Sequence, residues 1–153
     1  MEEDQYRKTY RSFNERRCVY EKVINSRRCT CQSSHRFCLA DREGVACQSP
    51  QGHERCSSLL RLMRLNASFS LKLPDSDGTP LPHAKEIKVQ IGGLLGLQGI
   101  LFTDKQNTDS VENIDYILQQ AQKQFGSFQD LPFNEIVKSI TTFKGRQKRS
   151  EKN

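Results

Sequence analysis

The chain has no tryptophan, two methionines and three histidines, and hydrophobic residues fill only 35% of its 153 positions. So little apolar material supports one modest core with polar ends rather than two complete domains. No apolar run reaches the ~18–20 residues that a bilayer-spanning helix needs. The longest weakly polar stretch, residues 89–102, is shorter than that and carries two glutamines. The opening residues, MEEDQYRKTYRSF, lack the apolar segment of a secretory signal, so the expected compartment is the cytoplasm. Several motifs are missing too. No two histidines stand at helical metal-binding spacing, no G-x-S-x-G elbow occurs, and no glycine loop is followed by Lys-Ser or Lys-Thr. Those absences argue against a histidine-based catalytic zinc, a serine-hydrolase elbow and a phosphate-binding loop.

The most telling absence is positional. All six cysteines (Cys18, Cys29, Cys31, Cys38, Cys47 and Cys56) precede residue 57, and none follows. Cysteines kept only for packing would scatter through the core. In a reducing compartment such a cluster reads as metal ligands or redox thiols before it reads as disulfides.

The chain otherwise reads as mainly α. Tyr6, Tyr10 and Phe13 share a helical face, and Val19 and Val23 continue the pattern past Cys18. Residues 25–54 lose periodicity and are expected to be irregular, ordered by whatever the thiols bind. Helical spacing returns at Leu59, Leu62, Met63, Asn66, Phe69 and Leu73, and Pro74 ends it. Residues 74–83, with three prolines, form a turn-rich linker; counted from Asp75, their Asp-Ser-Asp-Gly string has no glycine at the sixth place of a calcium loop, and Pro80 and Pro82 interrupt it. A glycine-bearing helix is expected next, with Gly92 and Gly96 one turn apart to admit another backbone closely. Asp109 with Glu112 would open a helix carrying Val111, Ile114, Ile117, Leu118, Ala121 and Phe125, stopped by Gly126. Pro132 would start a last one through Phe133, Ile136, Val137, Ile140 and Phe143. No alternating strand stands out. The expected organisation is a Cys-rich metal-binding segment with its N-terminal helix (1–56), a helical domain (57–145) and a basic disordered tail (146–153).

The cysteine spacing is C-x10-C-x-C-x6-C-x8-C-x8-C. Four thiolates suit zinc or an iron–sulfur cluster. The C-x-C pair can place two sulfurs on one metal, the loop to Cys38 folds back, and Cys18 reaches in from its helix. The expected ligands are therefore Cys18, Cys29, Cys31 and Cys38, with Cys47, Cys56 and His35 as additional or alternative ones. Arg27, Arg28, His35, Arg36 and Arg42 surround them and would offset a negative metal–thiolate centre.

The C-x-C-x6-C portion resembles the end of the C-x2-C-x-C-x5-C cluster motif of redox-sensing regulators of the mercury-resistance-regulator type. It is also similar to the C-x-C-x4-C zinc sites beside some histone methyltransferase domains. The resemblance covers this short segment alone and the spacings differ. It implies that a C-x-C with a nearby third thiol can hold either kind of centre.

The leading expectation is thus a small iron–sulfur protein with an accessory, electron-transfer or redox-sensing role. The alternative is a structural zinc module for protein or nucleic-acid interaction. A thiol-dependent enzyme is the further alternative, though no single cysteine stands out as a nucleophile and a non-enzymatic role is favoured. A protein partner is expected. The tail KGRQKRSEKN, five basic side chains against Glu151, is expected to give weak nucleic-acid contact or none.

Overall fold

The computed structural model describes residues 2–73 and 81–145. The Asp-Ser-Asp-Gly string and the tail 146–153 lie outside them. The described chain is mainly helical, with helices α1 (Glu3–Phe13), α2 (Glu21–Asn25), α3 (Pro50–Leu71), α4 (His83–Ile87), α5 (Gly93–Leu101), α6 (Ile114–Phe125) and α7 (Phe133–Thr142). A π-helical turn, Lys88–Gly92, joins α4 to α5.

The segment expected to be irregular contains an antiparallel hairpin, β1 (Ser34–Leu39) and β2 (Arg42–Cys47), in register from Ser34 opposite Cys47 to Leu39 opposite Arg42. Its two-residue turn holds Ala40 and Asp41 at φ of 51° and 66°, the left-handed pair that matches the twist of the strands. Asn-Gly or Asp-Gly would have advertised that turn. Ala-Asp does not, and β1 offers only Phe37 and Leu39 as large apolar residues.

Three helix boundaries also differ from expectation. The pattern does not run on past Cys18 from α1, because the chain leaves the helix at Asn14 and pairs with β2: Cys18 N–H donates to Val45 O (2.9 Å) and Cys47 N–H to Arg16 O (2.8 Å). The helix expected to open at Asp109 begins instead at Ile114. Residues 109–113 are drawn alongside residues 28–32, where Val111 N–H donates to Arg28 O (2.8 Å) and Ile114 N–H to Thr30 O (2.8 Å). Conversely α3 starts earlier than its apolar spacing suggests. Ser49 caps it, accepting from Gly52 N–H at 2.9 Å, and Pro50 occupies the first turn. That early start carries His53 and Cys56 onto a helix.

One continuous core gathers Leu59 and Met63 of α3, Leu94 and Leu97 of α5, Ile117 and Leu118 of α6, and Ile136 and Ile140 of α7, all essentially inaccessible to solvent. Tyr20, Val23 and Val45 join it from the N-terminal side. The close approach read from Gly92 and Gly96 is present. A β-carbon at Gly92 would lie 2.8 Å from Ile140 Cα, and one at Gly96 would lie 2.7 Å from Ser139 Cβ. Ser139 Oγ seals the contact by donating to Gly92 O at 2.7 Å.

Candidate metal centre

Four elements converge where the N-terminal half meets α3 and α6. Residues 16–18 lie against the end of β2, which sets Cys18 beside Cys47. Residues 28–32 lie against 111–114, which sets Cys31 beside the first turn of α6. Gln48 N–H donates to Ser33 O (2.8 Å) and ties the first pairing to the second. The opening turns of α3 then bring Cys56 to the same place. Cys18, Cys31, Cys47 and Cys56 all line one cavity of about 20 Å³, together with Tyr20, Ser33, His53 and Asp115 among others. That volume is close to the room one water molecule or one bare ion needs.

The two loop cysteines sit in matching turns. Glu21 N–H donates to Cys18 O (3.2 Å), and Ser34 N–H donates to Cys31 O (3.2 Å). In each turn the backbone amide two residues on, Tyr20 or Ser33, works to lower the pKa of the cysteine. The backbone amide of Asp115, at the start of α6, acts on Cys31 in the same direction. Nearby backbone amides of this kind favour the thiolate form.

Burial acts the other way. It pushes the Cys18 thiol up to about 12 and raises Cys31 and Cys56 as well, and in all three neighbouring thiols add to the rise. Ionised together without a cation, the thiols would repel one another in a poorly hydrated space. Asp115 supplies the flanking charge. Its carboxylate, 5% exposed, accepts from Ser33 Oγ (2.6 Å) and forms an ion pair with Arg55 (3.0 Å). Burial alone would raise its pKa, but these bonds hold it below the usual carboxylate range.

The remaining candidates lie elsewhere. Cys29 is buried in the bridge to Val111 and is absent from the cavity wall. Cys38 and His35 stand exposed on β1. The fold therefore gathers two of the four expected ligands, Cys18 and Cys31, with the two alternatives Cys47 and Cys56. Sequence spacing favoured C-x-C because it is short, whereas the pairing of residues 16–18 with the end of β2 sets Cys47 beside Cys18 and the opening turns of α3 carry Cys56 to the same cavity. Ser49 followed by Pro50, a helix-opening pair, is the local signal that could have placed Cys56 on a helix.

As the side chains stand, no group of three or more Cys, His, Asp or Glu among the described residues is arranged to hold a metal ion. Cys47 Sγ is turned toward Ser49 O at 3.3 Å, and His53 Nε2 toward Arg17 O at 3.2 Å. No helix among the described residues is long and apolar enough to cross a membrane. No family model, curated protein or solved structure matches this chain.

Proposed function

We propose that the protein is a small structural zinc module, in which one Zn²⁺ held by the thiolates of Cys18, Cys31, Cys47 and Cys56 fastens the N-terminal segments and hairpin to α3 and α6. The observation that carries this reading is the convergence of four thiols, from four separate chain segments, on one ion-sized cavity. The backbone amides that lower the pKa of Cys18 and Cys31 support it, since metal-bound thiolates keep a net charge of about −2 that such amides offset. Binding needs rotation of Cys47 away from Ser49 and release of the thiol protons, so affinity rises with pH. The small volume favours a single ion over an iron–sulfur cluster, whose several metal and sulfide atoms would force the walls apart. The role served is a rigid surface for a protein partner rather than catalysis.

Metal analysis of the purified chain tests this. One zinc per chain in a colourless protein is expected. Serine at Cys18, Cys31, Cys47 or Cys56 should each strip most of the metal, while Cys29→Ser and Cys38→Ser should retain it. Loss in the Cys29 and Cys38 variants, with Cys47→Ser and Cys56→Ser unaffected, would restore the ligand set suggested by the C-x-C spacing. A brown protein holding iron and sulfide would restore the cluster.

A further inference from the structure

On the far side of Cys18 and Val19 lies a second, much larger space, an open cleft of about 1130 Å³. One wall is a single face of α1, carrying Tyr6, Arg7 and Arg11; the opposite wall is formed by Arg64 of α3 with Glu86 and Gln90 of the helix running through α4 into the π-helical turn. The volume exceeds what a typical small-molecule pocket offers and suits a segment of polymer.

Every carboxylate lining the cleft is already matched by a guanidinium. Glu3 meets Arg42 at 2.8 Å, Glu21 meets Arg17 at 2.6 Å, Glu43 meets Arg27 at 2.7 Å, and Glu86 meets Arg64. Arg11 and Lys22, both exposed on the cleft, have no carboxylate partner among the described residues. The cleft is therefore positive after its internal pairs are counted, in a chain whose net charge is +6. An anionic occupant is drawn there by the field of the surplus cations.

The chemistry of the α3–α4 wall says which kind of anion. Glu86 and Gln90 are 4% and 2% exposed, and Gln90 Nε2 donates to Glu86 Oε1 at 2.6 Å. That leaves Glu86 Oε2, Gln90 Oε1 and Arg64 Nε buried just behind the cleft surface without partners among the described residues. Two orphan acceptors and one orphan donor complement a chain that offers both N–H and C=O groups, as a peptide does. A phosphodiester backbone offers acceptors only. The aromatic rings give nucleic acid no more help. The Arg42 guanidinium already covers one face of Tyr6 at 4.4 Å, and Tyr10, with Arg17 over its ring at 4.8 Å, is only 6% exposed and offers a base no surface to stack on. A π-helical turn at Gln90 is the kind of local departure that often accompanies a binding site.

We infer that this cleft is a docking groove for an extended acidic peptide of a partner protein, whose carboxylates meet Arg11 and Lys22 while its backbone amides meet the Arg64–Glu86–Gln90 wall. This inference stands apart from the zinc reading, because none of these five groups is a candidate ligand. It is tested on the full chain as purified, by fluorescence anisotropy with a fluorescein-labelled peptide of alternating Asp and Thr. An Asn/Thr peptide and an oligouridylate RNA of equal charge serve as comparison probes.

The Asp/Thr peptide should bind more tightly than both. The double variant R11E/K22E, changed at exposed unpaired positions and checked for unaltered circular dichroism, should weaken it by about tenfold or more. Gln90→Met, similar in volume but without the amide, should weaken the acidic and Asn/Thr peptides alike, as a backbone contact requires. Equal binding of both peptides, no effect of the charge reversal, or tighter binding of the RNA would each overturn the inference.

Discussion

The face where α5 meets α7 and the face where the N-terminal segments meet α3 are held together by opposite means. The first is almost free of polar atoms. Gly92 and Gly96 let two helices approach until Ile140 and Ser139 fill the space a side chain would take, and Leu94, Leu97, Ile136 and Ile140 complete a dry contact. The second is organised around a buried carboxylate and a set of thiols. Glu21, 6% exposed, takes the Tyr10 hydroxyl, the Val45 N–H (2.8 Å) and Arg17 (2.7 Å), so one side chain links α1, α2 and β2. The difference teaches where each face is vulnerable. Apolar packing loses stability in proportion to volume, whereas a polar hub fails all at once when its centre is removed.

The largest expected effect therefore falls on the hub. Glu21→Ala leaves the Tyr10 hydroxyl and the Val45 N–H buried without an acceptor, a loss of about 3 kcal/mol or more. Native-state hydrogen exchange should show the hairpin amides unprotected while those of α6 and α7 keep their protection. Uniform loss of protection in both regions would mean that the two faces do not differ in this way.

The same contrast explains what could be read from the sequence. The helical half was legible because its information is periodic. The spacing of Ile114, Ile117, Leu118 and Ala121, and that of Ile136 and Ile140, places each on a buried face, and Gly126 at a φ of 82° stops α6 where expected. The N-terminal half was not legible because its information is pairwise. Nothing local to Cys18 says that it pairs with Val45, and nothing local to Asp109 says that Arg28 binds its carbonyl. The candidate centre shows both sides of this. The clustering of the early cysteines could be read from the sequence, but which four of them line one cavity depends on a hairpin whose turn residues do not announce it and on the early start of α3.

A smaller effect probes the dry face. Alanine at Gly92 puts its β-carbon against backbone that cannot step aside, 2.8 Å from Ile140 Cα, and should cost about 2 kcal/mol. Alanine at Gly96 meets the Ser139 side chain first, with the Ile136 backbone at 3.4 Å, and should cost about half as much. Urea midpoints of the two variants, at equal slope, check the order. If Gly96→Ala proved the more damaging, α7 would be held to α5 chiefly through Ser139.

The smallest effect is one of pH and returns to the hub. Burial first, and then its bond to Glu21, pushes the Tyr10 phenol up to about 12, against about 10 in an unfolded chain. Below pH ~10 both states keep the proton and Tyr10 contributes its full stability. Between ~10 and ~12 the unfolded chain has released the proton and the folded one has not, so unfolding liberates a proton and rising pH favours it. Tyr10→Phe keeps the ring contacts to Tyr6 and Phe37 but removes the hydroxyl that donates to Glu21 and accepts from Asn14. The variant should thus be less stable at neutral pH by about 1 kcal/mol. That deficit should shrink above pH 10, because the native protein loses a contribution the variant never had. Thiols and other groups titrate alike in the two chains and cancel in the difference. Urea midpoints of the pair measured from pH 7 to 12 give the answer, and a gap that stays constant across that range would remove the hydrogen bond to Glu21 from the account of this face.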